Sequence, residues 1–354
     1  MKNIYRDFLE NEKGNTGLVI ATVVESTGST PQKPGSSALF DDGGLISGTV
    51  GGGVVEGQVQ EAVKKCSSSG ESALLHFTLG NDISNKYEAI CGGRISVLVD
   101  ANSLAHLPVF LNILNSISED IPGVLITMVT PLRETRVLIN RYWMTAGNRP
   151  QIPPGFMEKI EPEVMEMLKL QLNGDYRKLE LSIPGEEPSS LFFLELLLTP
   201  ERLIIAGAGH IGKAVSHLGR MLDFEVTMID DRVDFANADN LPDADHIIVK
   251  DIGEAMHEVR KDQKTYIVIV TRGHNNDAEA LKPCLRSDAA YIGMIGSRAK
   301  TAKMRDEFIR NEWTTTDDWN KIFTPIGLEI GSKTVEEIAV SIAAQLVMVR
   351  NKNK

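Results

Sequence analysis

The sequence predicts two successive α/β domains, a mixed one over residues 1–196 and, over residues 197–354, a parallel sheet with helices on both faces. Two observations carry this. From about residue 200, apolar runs of five to seven residues alternate with helical stretches of ten to sixteen, the pattern of repeated βαβ units. Upstream, short β-branched runs are punctuated by glycine-rich turns, and a Pro/Gly/acidic stretch (IPGEEPS, 183–189) precedes the change of pattern. A length of 354 residues suits two domains that each bury a core.

The elements follow in order. GLVIATVVES (17–26) and Ser36–Phe40 read as strands before the Asp-Asp-Gly-Gly turn at 41–44. Val54–Lys65 has helical spacing, with Val55, Val59, Ala62 and Val63 on one face. Leu74–Leu79 and Arg94–Val99 are strands, Leu104–Ile117 an apolar helix, Val124–Thr130 and Val137–Trp143 strands, and a further helix lies near Glu163–Leu172. LFFLELLL (191–198) reads as a buried strand, although Glu195 interrupts it. In the second domain the strands are Arg202–Ala206, Glu225–Asp230, His246–Val249, Tyr266–Thr271 and Tyr291–Ile295. Its helices fall at Ile211–Leu222, near Gly253–Arg260, and at Ala278–Arg286, Arg298–Asn311 and Val335–Val349.

Composition excludes several classes. With 37 Lys+Arg against 48 Asp+Glu, a net charge of -11 leaves no basic surplus for nucleic acid or an anionic membrane. Three scattered cysteines, Cys66, Cys91 and Cys284, exclude a disulfide framework and a tetrahedral structural zinc site. The mixed-charge amino terminus lacks the apolar segment of a signal peptide, and no apolar run reaches the roughly 20 residues of a membrane span. A cytoplasmic protein is expected.

Gly207-Ala208-Gly209-His210-Ile211-Gly212 follows the strand RLIIA and opens an apolar-faced helix. Gly207 permits the tight turn, Gly209 the approach of a pyrophosphate, and Gly212 close helix–strand packing. Asp230 ends the second strand, where a carboxylate meets a ribose 2′-hydroxyl; this favours NAD, while nearby Arg232 leaves NADP open. The carboxy-terminal domain is therefore Rossmann-like. Thr271-Arg272-Gly273-His274 with Asp277, and Gly293 with Gly296-Ser297-Arg298, lie at the same carboxyl edge. His210 is a ligand donor or a surface residue of the loop. His274 and Asp277 form either a proton-transfer pair or a loop-ordering hydrogen bond. Ser297 is either a ligand contact or the N-cap of the following helix.

The densest glycine segment is GTVGGGVVEG at 48–57, with no Lys or Arg between Pro34 and Val63. Feeding a helix, it can aim successive N–H groups at an anion through Gly51, Gly52 and Gly53, or it is a tight packing bend. It lacks the Gly-Lys-Ser/Thr ending of a P-loop. Glu56 lies in the helix's first turn, where it complements the dipole. Cys91 precedes Gly92 and Gly93, so its thiol is open to a bulky ligand; composition alone favours a buried, inert cysteine.

These pieces together resemble the xanthine dehydrogenase accessory factor family of XdhC/CoxI type. The matching segments are GSTPQKPGS (28–36), GTVGGGVVEG (48–57), ICGG (90–93), GAGHIG (207–212), DDR (230–232), TRGHNND (271–277), YIGMIGSR (291–298) and TPIGLEIGSKTVEEIAVSI (324–342). The resemblance implies a cytoplasmic chaperone that binds molybdenum cofactor, supports its sulfuration and inserts it into a xanthine dehydrogenase-type molybdenum hydroxylase. Its implied partners are the apo-hydroxylase and a cysteine desulfurase. Carried over by motif, Gly51, Gly52, Gly53 and Glu56 form part of the cofactor site, and Cys91 is the candidate thiolate near molybdenum. Many relatives have cysteine where this chain has Val54, and arginine where it has Gln32. The residues alone favour an NAD(P)-dependent oxidoreductase with His274 or His210 as proton donor; the resemblance places the maturation factor first. Paired apolar strands and the long carboxy-terminal helix are compatible with a homodimer.

Overall fold

The computed structural model describes residues 4–13, 17–79, 92–153, 155–172, 174–182 and 189–352. The chain forms two compact units, Met1–Thr199 and Pro200–Lys354.

In the first unit, α1 (Ile4–Asn11) precedes β1 (Val19–Thr27), β2 (Ser37–Asp41), β3 (Gly44–Gly48), α2 (Gly53–Ser69), β4 (Ser72–Thr78) and β5 (Arg94–Asp100). Then come α3 (Leu107–Ser118), β6 (Gly123–Arg133), β7 (Arg136–Thr145), α4 (Met157–Leu170), β8 (Tyr176–Leu181) and β9 (Ser190–Leu197). The strands build one nine-stranded sheet, ordered β3-β2-β1-β5-β4-β7-β6-β9-β8. Period-two alternation divides its side chains between faces. Val19, Ala21 and Val23 pack with Val55, Val59 and Val63 of α2, whereas Ile20 joins Phe8 of α1 and Phe110 and Ile113 of α3. The sheet curls: Lys178 on β8 donates to Glu25 on β1 at 3.0 Å, although five strands stand between them in the order.

The second unit runs β10 (Arg202–Ala206), α5 (His210–Met221), β11 (Glu225–Asp230), β12 (His246–Val249), α6 (Ile252–Glu258), β13 (Thr265–Ile269) and α7 (His274–Leu281). It ends with β14 (Tyr291–Met294), α8 (Arg298–Arg310), α9 (Thr316–Trp319) and α10 (Val335–Lys352). The five strands are parallel, ordered β12-β11-β10-β13-β14. Leu203 and Ile205 pack beneath Val215 of α5 and Ile342 and Leu346 of α10. Ile204 and Ala206 face Met256, Leu281, Met304 and Phe308 of the helices on the other side. A parallel sheet covered on both faces is the predicted Rossmann-like class. The order reverses between β10 and β13, and sheets of this class bind ligands at the carboxyl ends of the strands at such a point.

Some elements differ from expectation. Helix α4 begins at Met157 and contains Pro162, rather than beginning near Glu163. Burial of Ile160 with Val164 and Met167 on its inner face outweighs the hydrogen bond that proline removes. Helix α7 starts at His274 rather than Ala278, capped by Gly273 at φ 90°, so Asp277 sits in its first turn. Among the described residues, no helix is long and apolar enough to cross a membrane.

Candidate functional site

Three glycine-bearing segments of the first unit meet beside the start of β5. A side-chain carbon at Gly28 would lie 2.9 Å from the Gly92 carbonyl oxygen, and one at Gly93 would lie 2.5 Å from that of Ser29. Backbone therefore rests on backbone here, an approach only glycine permits. On the other flank of the turn, a carbon at Gly51 would stand 3.0 Å from Pro31 Cγ. The turn at 28–36 thus touches both the glycine loop and Gly92–Gly93. A cleft of about 380 Å³ opens beside it, lined by residues including Thr27, Gly28, Leu79, Gly92, Gly93 and Arg94.

Gly51, Gly52 and Gly53 have φ of +138°, +65° and +53°, so the loop's path disfavours ordinary side chains at all three. Carbons added at Gly52 or Gly53 would meet nothing within 4 Å. These two glycines are therefore required by backbone conformation and leave open space in front of them. Gly52 caps α2 without a side-chain acceptor, so the first N–H groups of the helix have no side-chain cap and carry the positive end of its dipole. Glu56 is fixed to the loop: its Oε2 accepts from Thr49 Oγ1 at 2.8 Å, and Thr49 Oγ1 accepts from the Gly51 N–H at 3.2 Å. Cys91 lies outside the described residues; its neighbour Gly92 is exposed at the cleft.

In the second unit the glycine turn follows the spacing logic. A carbon at Gly207 would lie 2.5 Å from the Val270 carbonyl oxygen, one at Gly212 would overlap the Gly207 carbonyl, and one at Gly209 would meet nothing. His210 is exposed at the first position of α5. Asp230 is buried and fully engaged. Its Oδ2 accepts from the Ala208 N–H at 2.7 Å and Arg232 Nη2 at 2.8 Å; its Oδ1 accepts from the Arg232 N–H at 3.0 Å and Nε at 2.8 Å. Burial opposes its ionisation, but the Arg232 and backbone hydrogen bonds prevail and hold its carboxyl at about 2. The ribose role expected of Asp230 thus meets a carboxylate that already has four donors.

Asp277 is likewise committed. It is fully buried, accepting from Thr271 Oγ1 at 2.5 Å and from Lys300 Nζ at 2.5 Å, so it ties the end of β13 and α8 to α7. The His274 side chain lies outside the described part of the chain. Ser297 N-caps α8, accepting from the Lys300 N–H at 3.2 Å, and Arg298 is an exposed partner of Glu329. Gly296 packs against Thr301, to whose Cγ2 an added carbon would approach within 3.1 Å.

Comparison with known proteins gives this architecture a family. The profile of the XdhC Rossmann domain matches residues 203–346, and that of the XdhC and CoxI family matches residues 13–78. The chain belongs to the XdhC and CoxI family. A protein of Bacillus subtilis (strain 168) described as a probable xanthine dehydrogenase subunit is 24% identical over 339 residues, spanning 94% of this chain and 93% of that one. YqeB of Escherichia coli (strain K12), uncharacterized, is 20% identical over 350 residues; this chain spans 46% of its length. A crystal structure of a xanthine dehydrogenase from Bacillus halodurans shares the fold with a TM-score of 0.73 at 23% identity, covering 99% of this chain and 96% of that one.

This XdhC-family chain also holds a charged cluster that hydropathy reasoning missed. Inside the curled sheet, Arg141 of β7 donates from Nε to Asp100 of β5 at 3.1 Å, with His106 Nε2 3.6 Å from the same carboxylate. Burial lowers the His106 imidazole below its usual value. Nearby, Tyr5 of α1 donates to Glu195 of β9 at 3.3 Å. Desolvation raises Glu195 to about 7 despite Arg141 and Tyr5, which oppose the shift. The available signal was a charge on the apolar face of a strand, visible at Arg141 and Glu195.

Proposed function

We propose that this XdhC-family chain is a maturation factor with an accessory role toward a xanthine dehydrogenase-type molybdenum hydroxylase. In this reading it binds molybdenum cofactor, supports its sulfuration and inserts it into the apo-enzyme. The observation that carries the reading is the open glycine cradle of Gly52 and Gly53 at the head of α2, whose neighbour Gly51 packs on the turn at 28–36, the turn that also borders Gly92–Gly93 and the cleft. A pterin bearing a phosphate needs that combination. Backbone N–H groups at a helix N-terminus receive the phosphate, and a cleft of about 380 Å³ falls within the size range of small-molecule sites. The name of the Bacillus subtilis relative supports the link to xanthine dehydrogenase.

When bound, the cofactor would supply a molybdenum centre with an oxo ligand exchangeable for sulfide. The chain's part is to hold and orient it: the first N–H groups of α2 bind, Thr49 and Glu56 stiffen the loop, and the cleft at exposed Gly92 takes the bulk of the pterin. Cys91, next in the chain to Gly92, is assigned as the soft thiolate near the metal. A cysteine desulfurase is the sulfur source in this reading, the site of action is the cytoplasm, and a homodimer is its working form. The competing oxidoreductase reading loses support because Asp277 and Asp230 both have their carboxylates engaged internally.

The test uses the full chain with isolated molybdenum cofactor. Co-elution on gel filtration and increased activation of an apo-hydroxylase are expected, and Cys91→Ala should lower retention about tenfold, the usual effect of losing a metal-directed contact. Absence of both binding and activation overturns the proposal, and unchanged retention in Cys91→Ala removes the thiolate role.

A further inference from the structure

We infer that Arg232 is a specificity-determining residue that closes the ribose position of the Rossmann domain to nicotinamide adenine dinucleotides. A Rossmann domain with an acidic residue ending its second strand ordinarily offers that carboxylate's lone pairs to the adenosine ribose. A carboxylate has about four acceptor sites. At Asp230 all four are taken: two by the backbone N–H groups of Ala208 and Arg232, and two by the Arg232 guanidinium in a bidentate pair at 2.8 Å and 2.8 Å. Only 2% of the Asp230 side chain is exposed, against 25% for Arg232, so the guanidinium is the lid over the carboxylate. The lid is itself held. The Arg232 guanidinium carbon lies 3.8 Å from the Phe235 ring centroid, a cation–π contact. Its carbonyl accepts from the N–H groups of Phe235 and Ala236 at 3.0 Å and 2.9 Å.

The donor set explains why this excludes rather than recruits a dinucleotide. The ribose diol brings hydroxyl donors to a carboxylate with no free acceptor, so binding must first expel a charge-assisted bidentate partner. A 2′-phosphate attracts the guanidinium, but drawing it away exposes Asp230 beside Asp231, whose Oδ1 lies 3.8 Å from Arg232 Nε, and sets two carboxylates against the phosphate. The apparent affinity for any dinucleotide is scaled down by the fraction of molecules in which Arg232 has swung out. The glycine turn is intact, yet the position that would select adenosine is filled by the protein itself.

Titration of the full chain with NADH and NADPH, followed by nucleotide fluorescence and calorimetry, tests this independently of any molybdenum cofactor. The unmodified chain should show no saturation by either nucleotide below about 1 mM. Arg232→Ala leaves Asp230 with its two backbone donors and frees two acceptor sites, so NADH should bind about 10- to 100-fold more tightly. Phe235→Ala keeps the ion pair but loosens the lid and should give a smaller gain. Micromolar binding of NADH or NADPH by the unmodified chain overturns the inference, as does an Arg232→Ala protein that folds but gains no affinity. Should Arg232→Ala fail to fold, Phe235→Ala decides: a gain supports the closed position, and unchanged affinity overturns it.

Discussion

Glu195 shows how much one side chain commits the fold to. It stands in an apolar strand, within reach of Tyr5 from α1, with Tyr176 from the adjacent β8 and Arg141 from β7 contributing to its surroundings. Its carboxyl is raised to about 7, whereas an unfolded glutamate titrates near 4.3. The native state therefore holds this proton more tightly than the unfolded chain. Between about pH 4.3 and pH 7 stability falls as pH rises, because native protein binds more protons than unfolded protein does. Glu195→Gln should remove that fall and stabilise the chain at pH 8 by on the order of 1–3 kcal/mol relative to its effect at pH 4. Urea midpoints of both proteins at the two pH values check this; parallel midpoints would contradict it. The residue itself was legible, as a charge inside LFFLELLL. Its hydrogen-bonding partner was not, because Tyr5 lies 190 residues away and one strand's pattern says nothing about which distant element covers it.

The glycine loop leading into α2 is an element-scale device whose purpose separates by position. Gly53, at φ +53°, lies in the left-handed region with open space ahead of it, so alanine there pays the left-handed conformation alone, about 1–2 kcal/mol. Gly51, at φ +138°, is outside any region alanine favours, and its added carbon would also press on Pro31 Cγ at 3.0 Å. Gly51→Ala should therefore destabilise more than Gly53→Ala, with thermal unfolding midpoints as the measurement; the reverse order would show that the loop is not built as described. Most Rossmann elements were legible because buried parallel strands read as continuous apolar runs, and Arg202–Ala206 and Glu225–Asp230 match strand bounds residue for residue. Strand β8 was not, since Arg177, Lys178 and Glu180 give it the charged pattern of a protected sheet edge. The start of α7 was missed because Gly273 and His274 read as loop, although a glycine at positive φ can precede a helix as readily as it ends one.

At the scale of the whole molecule, a net charge of -11 sets the terms on which any anion is held. Long polyanions find no basic track on such a chain, but a single phosphate needs only a few oriented donors. The stretch from Pro34 to Val63 carries no Lys or Arg, so in the proposed cofactor site attraction comes chiefly from the α2 N–H groups, with Arg94 at the cleft and Lys33 in the turn as the nearby cationic side chains among the described residues. Those two sources respond differently to salt. Long-range attraction to exposed cations is screened as the Debye length drops from about 10 Å at 0.1 M to about 3 Å at 1 M, whereas hydrogen bonds from backbone N–H groups to a seated phosphate act at contact distance. Retention of molybdenum cofactor should accordingly change less than about threefold between 0.1 M and 1 M salt. Equilibrium dialysis at several ionic strengths measures this. A steep loss of binding would move the anion from the glycine cradle to Arg94 and Lys33, and Arg94→Gln would then weaken retention more than Gly53→Ala does.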